Sequence, residues 1–366
     1  MHSIRLISGT ALLTLGALMM TPLPAYAATT EPELVGSAGQ EFSPLYVADT
    51  RVYGVLFGDL YRVDGDSPEF ISSNFTSVGD GVGFAGALHV VRVAPGSANS
   101  EQVVVRVDSD GTVTTTLDLA SGVFLGGVRA LGATDSALFA GTGDTGVART
   151  STDGTTWSTF TNPSFFPDFT SQLVGIGSTL YARGFISGPG EPQGVFRWDG
   201  TEWVYLTIPG SVNHIAKGDD RLLVGSSEGL YSVSGTTVTP LDESAQNPRS
   251  IAEFDGAIYF IDDANVVKVW RDGTVTTPFP QFTAARSFTA TDTELYFAAA
   301  EGQTSSTYRI TILPTAEPEP EAPELVATGV TAAVTPLAGI AITLTLLGVA
   351  LTVIRSRRSR ESLATK

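Results

Sequence analysis

The sequence predicts an all-β fold, and three observations predict it. Residues 40–313 carry short β-branched and aromatic runs separated by Gly, Asp, Ser and Thr turns, with no sustained 3.6-residue apolar period. The runs recur as a unit. Indexed by a pair in the second strand of each (Val52-Tyr53, Leu88-His89, Leu138-Phe139, Leu180-Tyr181, Leu222-Leu223, Ile258-Tyr259, Leu295-Tyr296), seven copies stand 36, 50, 42, 42, 36 and 37 residues apart. Each copy also has the parts of four antiparallel strands, and such a unit repeating every ~40 residues is the mark of propeller blades. The prediction is a seven-bladed β-propeller of four-stranded antiparallel blades. An N-terminal signal peptide and a C-terminal transmembrane helix flank it.

Taken in order, residues 1–27 read as the signal peptide. Arg5 supplies the positive charge, Leu6–Met20 is an apolar core too short for a comfortable span, and Ala25-Tyr26-Ala27 is a small-x-small site. Signal peptidase is therefore an expected partner, cutting between Ala27 and Ala28. The chain has no Cys. Stability outside the cell must then come from packing and not from disulfides.

The propeller is expected over residues 28–313. Three residues before the index pair an Asp stands in five repeats (Asp49, Asp135, Asp219, Asp255, Asp292), and Asp favours a tight turn by bonding its own backbone. These mark the hairpins between first and second strands. Third strands follow, as in Gly194–Trp198, Gly229–Val233 and Val266–Trp270, then turns at Asp110-Gly111, Asp199-Gly200 and Asp272-Gly273, then a Thr-rich fourth strand. Continuous apolar second strands such as Ala257–Ile261 fit elements buried on both faces. The seventh repeat enters the next segment with no room for a fourth strand, so Glu33–Phe42 are expected to fill that slot and close the ring.

Ser151-Thr-Asp-Gly-Thr-Thr-Trp157 resembles the Asp-box of sialidases and other extracellular propellers, one residue shorter than the commonest form. The resemblance implies a structural hairpin: Ser151 and Asp153 bond its backbone and Trp157 packs beneath.

Beyond the ring, Pro314–Glu324 alternate proline with negative charge, an extended stalk of roughly 34 Å at ~3.1 Å per residue. Residues 325–329, Leu325-Val-Ala-Thr328-Gly329, precede an uncharged stretch at 330–354 and a basic tail at 355–366. The 25 uncharged residues reach roughly 37 Å as a helix, enough to span a bilayer, and the arginines after them favour a cytoplasmic C-terminus. This order resembles the cell-wall sorting signal of Gram-positive surface proteins, with Val326 where that pattern most often has Pro. It implies sortase cleavage between Thr328 and Gly329 and attachment to peptidoglycan. A plain membrane anchor is the alternative. Either places the protein on the extracellular face, held by wall or membrane.

Removing Arg5 and the net +4 of the tail from a formal charge of −17 leaves −22 for residues 28–328. Such a surface repels phosphate backbones, so no nucleic-acid partner is expected. His89 and His214 are the ring's only histidines, and no zinc or copper site is expected. Asp64/Asp66 and Asp108/Asp110 are read as turn chemistry and not as Ca²⁺ loops. No phosphate- or dinucleotide-binding fingerprint stands in a strand-helix context, and no cofactor is expected.

Candidate site residues come from aligning the repeats. Nine residues before each index pair stand Ser43, Gly79, Arg129, Ser171, Asn213, Arg249 and Arg286, expected at the start of the innermost strand and lining the channel. Three are Arg in a region with 15 basic and 37 acidic residues. Such guanidiniums need nearby carboxylates or a bidentate anionic ligand. Long loops between second and third strands are expected in repeats two (Ala94–Gln102), four (Ser187–Gln193) and seven (Glu301–Thr307). Phe165, Phe166 and Phe169 are a second candidate, an exposed contact for a protein or sugar on the same face; inter-blade packing is the alternative. The reading is a surface binding or adhesion module for an anionic glycan or a protein. A sialidase-like hydrolase or lyase and a structural envelope protein are the alternatives, and no catalytic residue is assigned.

Overall fold

The computed structural model describes residues 29–75, 80–93, 102–118, 127–142, 146–160, 167–186 and 193–312. Seven four-stranded antiparallel sheets form from them, each built from strands consecutive in sequence except the last. Innermost strands are Leu45–Ala48, Gly81–Phe84, Val128–Ala133, Phe169–Ile176, Val212–Lys217, Arg249–Phe254 and Phe282–Ala290 in blades 1 to 7. The seven-bladed propeller expected from the repeat spacing is the fold. All five index aspartates fall between first and second strands, and Asp49 and Asp255 take left-handed φ values of 58° and 49° that short Asp side chains tolerate.

Closure follows the expected route. Glu33–Leu34 pair with Thr304–Thr311 as the outermost strand of blade 7, and an isolated bridge joins Thr29 to Ile312. Val35 donates to the Thr307 carbonyl and Thr307 to the Gln40 carbonyl, so the segment up to Phe42 is stitched along the same edge. Ile312 also donates to Thr293, next to Asp292. The last described residue therefore lies by the turns between first and second strands.

The core lies between the blades. Among the described residues seven buried apolar clusters occur, one at each junction. Alternation along a strand sends successive side chains to opposite junctions. Leu222 and Val224 pack toward blade 4 and Leu223 toward blade 6, while Tyr296 reaches Phe42 and Val52 across the seam between blades 7 and 1. Both faces are buried, which is why Leu222–Ser226 and Ala257–Ile261 are buried at every position.

Two expectations fail. Repeat seven has no long loop between its second and third strands: Glu301 pairs with Thr304 across a two-residue turn at Gly302-Gln303. The polar run that read as loop is a strand whose hydroxyls are buried, because Ser306 Oγ and Thr307 Oγ1 accept from the Gly39 and Phe42 backbones at 3.0 and 2.8 Å. Phe169 is not an exposed contact either. It belongs to the innermost strand of blade 4, half-buried, with its ring stacked on Phe185 at 5.0 Å. The corresponding loops of repeats two and four, and Phe165 and Phe166, lie outside the described residues.

Candidate functional site: the channel and its bulged mouth

Seven innermost strands surround a cavity of about 850 Å³ on the axis. At the end where these strands begin, the ladder to the second strand slips in five blades. The slips fall at Arg129, Ser171, Asn213, Ser250-Ile251 and Ala284–Arg286. Each is a β-bulge, which leaves a residue unpaired and re-aims its neighbours. The positions nine before the index pair therefore do not line the channel as expected. Arg129, Ser171, Asn213 and Arg286 sit on the bulges themselves, Arg249 sits beside one, and none of them borders the cavity. Gly79 lies outside the described residues.

Position eight, one residue on, is where Asp80, Gln172 and His214 border the cavity. It holds Pro44, Asp80, Ala130, Gln172, His214, Ser250 and Ser287. Three of these reach the next blade in the same way, accepting from the backbone N–H seven before the next index pair. Gln172 Oε1 accepts from Ile215 at 3.2 Å, Ser250 Oγ accepts from Phe288 at 2.8 Å, and the Asp80 carboxyl accepts from Leu131. This belt satisfies main-chain donors at the bulged ends. A search for polar residues recurring at one offset, not for Arg alone, would have found it.

Charges follow from this geometry. Gln172 Oε1 is committed to Ile215, so its amide nitrogen donates to His214 Nδ1 at 2.9 Å and the ring proton sits on Nε2. Burial, with Arg183 in support, pushes the His214 pKa down to about 4. Burial pushes Asp80 up to about 7 against the backbone bonds from Gly81 and Leu131. Arg183, which the alignment did not flag, ties the mouth by donating to the Val212 carbonyl at 3.0 Å and to Ser171 Oγ at 3.2 Å.

The three mouth arginines differ. Arg286 is 62% exposed and pairs with Glu41 at 3.0 Å across the closing seam, the blade-to-blade pairing weighed as the alternative. Arg249 is exposed and donates to the Asn265 amide oxygen at 2.6 Å, a neutral partner in its own blade. Arg129 is exposed on the blade 3 bulge. At the opposite end the cavity is bordered by Asp49, Asp219, Glu253, Asp255 and Asp292, with Lys217 as the basic residue among them.

The Ser151–Trp157 turn carries the expected bonds. Gly154 N donates to Ser151 Oγ at 2.9 Å, and Thr155 and Thr156 donate to Asp153 Oδ1 at 2.7 and 2.6 Å. Those N–H groups hold the Asp153 carboxyl well below the usual carboxylate range. Trp157 packs against the cluster between blades 2 and 3.

No protein-family model matches the chain, and no curated protein matches it. Solved structures do. YCF48 from Cyanidioschyzon merolae superimposes with a TM-score of 0.55 at 12% identity, covering 77% of this chain and 98% of that one. YCF48 bound to D1 peptide gives 0.52 at 13%, over 81% and 100%. The WD40 propeller domain of Doa1 gives 0.53 at 13%, over 77% and 96%. At such identity the likeness speaks to the fold alone.

Proposed function

We propose that the chain is a surface-held binding module whose ligand meets the bulged mouth. Residues 1–27 are its signal peptide, cut between Ala27 and Ala28, and residues 28–313 its ectodomain. Residues 314–324 form a stalk, Leu325–Gly329 the sortase substrate with cleavage after Thr328, residues 330–354 the span and 355–366 the cytoplasmic tail. All these segments beyond the ring lie outside the described residues, and the reading rests on their sequence. The Ser151–Trp157 turn is read as an Asp-box of purely structural role.

One observation carries the binding reading: Arg249 is an exposed guanidinium with an amide as its partner, at a mouth that also presents Arg129 and Arg286. A planar guanidinium so placed keeps donors free for a bidentate carboxylate. The ligand is a protein segment or glycan bearing carboxylates. A propeller of similar architecture holding a peptide supports the protein side of that choice.

The test is an array of acidic peptides and acidic glycans probed with the full chain in a neutral detergent, beside Arg129→Ala/Arg249→Ala/Arg286→Ala. Binding by the parent that the triple variant loses supports the site. Arg249→Ala alone, which removes no ion pair, covers the case in which the triple variant does not fold. A parent that binds nothing, or variants that bind equally well, would make the arginines blade cement.

A further inference from the structure

Between its two mouths the channel holds a carboxylate with no cation. Asp80 accepts from Gly81 N at 3.0 Å and from the Leu131 N–H, and no ion pair reaches it among the described residues. An ionised carboxylate has about four acceptor sites, so two backbone donors leave capacity for more. Leu131, Leu173, Ile215, Ile251, Phe254 and Phe288, buried between the blades, border the same cavity beside the polar side chains of Gln172 and His214. Beside it the Tyr46 ring lies so close to Gly81 that a Cβ there would stand 2.7 Å from Tyr46 Cδ1. A cavity of about 850 Å³ lined by polar groups and apolar side chains together has the size of a small-molecule site.

We infer that the channel takes an organic cation, an ammonium group on an apolar body, with the ammonium on Asp80 and the body against the aromatic and aliphatic wall. An ammonium offers three donors to a carboxylate short of partners, and aromatic faces favour a nearby positive charge. A hard metal ion fits less well, because Ca²⁺ and Mg²⁺ need several oxygen ligands and Asp80 stands alone. An anion would be repelled. Entry is favoured from the acidic mouth, where Asp49, Asp219 and Asp292 border the cavity without ion pairs among the described residues, Lys217 opposing them. A low-dielectric channel lined by one sign of charge concentrates counter-ions.

Because burial raises Asp80 into the neutral range, a cation that needs the ionised carboxyl binds about tenfold tighter at pH 8 than at pH 6. Tyr46, the titratable group that bears on Asp80, is pushed up by burial and stays neutral throughout. His214 is neutral over the same range.

The experiment is calorimetric titration of the full chain in neutral detergent with benzylammonium and with its uncharged counterpart, benzyl alcohol, at pH 6 and pH 8. The expected result is a preference for the ammonium that grows with pH and falls at least tenfold in Asp80→Asn, whose amide oxygen still accepts a backbone N–H. The ammonium-against-alcohol comparison at the two pH values is made on the parent and keeps the test decisive if Asp80→Asn does not fold. A parent that does not distinguish ammonium from alcohol overturns the inference. So does a preference that survives in Asp80→Asn.

Discussion

His89 is fully buried, and among the described residues neither ring nitrogen makes a hydrogen bond of normal geometry. Burial, then the Arg106 charge, push its pKa down to about 4, with the Phe84 backbone and Asp108 acting weakly the other way. A histidine depressed on folding contributes stability that is present above its unfolded value near 6.5 and lost as pH falls toward 4. His214 acts in the same direction. The ring should therefore lose stability between about pH 6.5 and 4, His89 alone accounting for on the order of 3 kcal/mol. Denaturant melts at pH 7.5 and 4.5 check this, and His89→Leu should lose less on acidification than the parent. Asp80 has the opposite sign. Raised from 3.8 to about 7, its contribution is present below pH 4 and lost as pH rises through 7, so Asp80→Asn should stabilise the ring more at pH 8 than at pH 5. At this scale the sequence was a partial guide. It showed which offset mattered to within one residue. The remaining residue was lost because a bulge inserts an unpaired position that no strand period records.

Among elements, the closing segment and the junctions between blades are the parts most open to test. Thr307 is fully buried and its Oγ1 accepts from Phe42 N at 2.8 Å. Thr307→Val keeps the shape and leaves that N–H unsatisfied, which should cost about 1–3 kcal/mol, read as a lower denaturant midpoint with unchanged slope. Crowding near the axis gives a second test. A Cβ on Gly175 would overlap the Ala133 carbonyl oxygen of the neighbouring blade, so Gly175→Ala should destabilise by roughly 2 kcal/mol or more. The turns at Asp49, Asp135, Asp219, Asp255 and Asp292 were legible because each obeys local chemistry. The long-loop reading of Glu301–Thr307 was not, because Ser305, Ser306 and Thr307 resemble a loop by composition and become a strand only by pairing with Ala298–Ala300. That pairing and the N-terminal segment beyond it are tertiary facts, outside the reach of local pattern.

For the whole molecule, the repeat spacing and the missing fourth strand sufficed to predict seven blades and closure by the N-terminus, because a ring that buries both faces of every blade leaves few other ways to arrange seven such units. The proposed surface placement rests on the sequence at the two ends of the chain, read as a leader, a stalk, a sorting-type pentapeptide, a span and a basic tail. Under that proposal the ring lies outside the cell and the tail inside. The chain contains no Cys, so single cysteines report position without background. The most direct measurement is labelling of intact producing cells with a membrane-impermeant maleimide, comparing Asp220→Cys, in an exposed turn of the ring, with Ser362→Cys in the tail. The account predicts that Asp220→Cys reacts on intact cells and Ser362→Cys only after they are opened. Labelling of the tail from outside, or a ring cysteine that stays silent until the cells are opened, would contradict it.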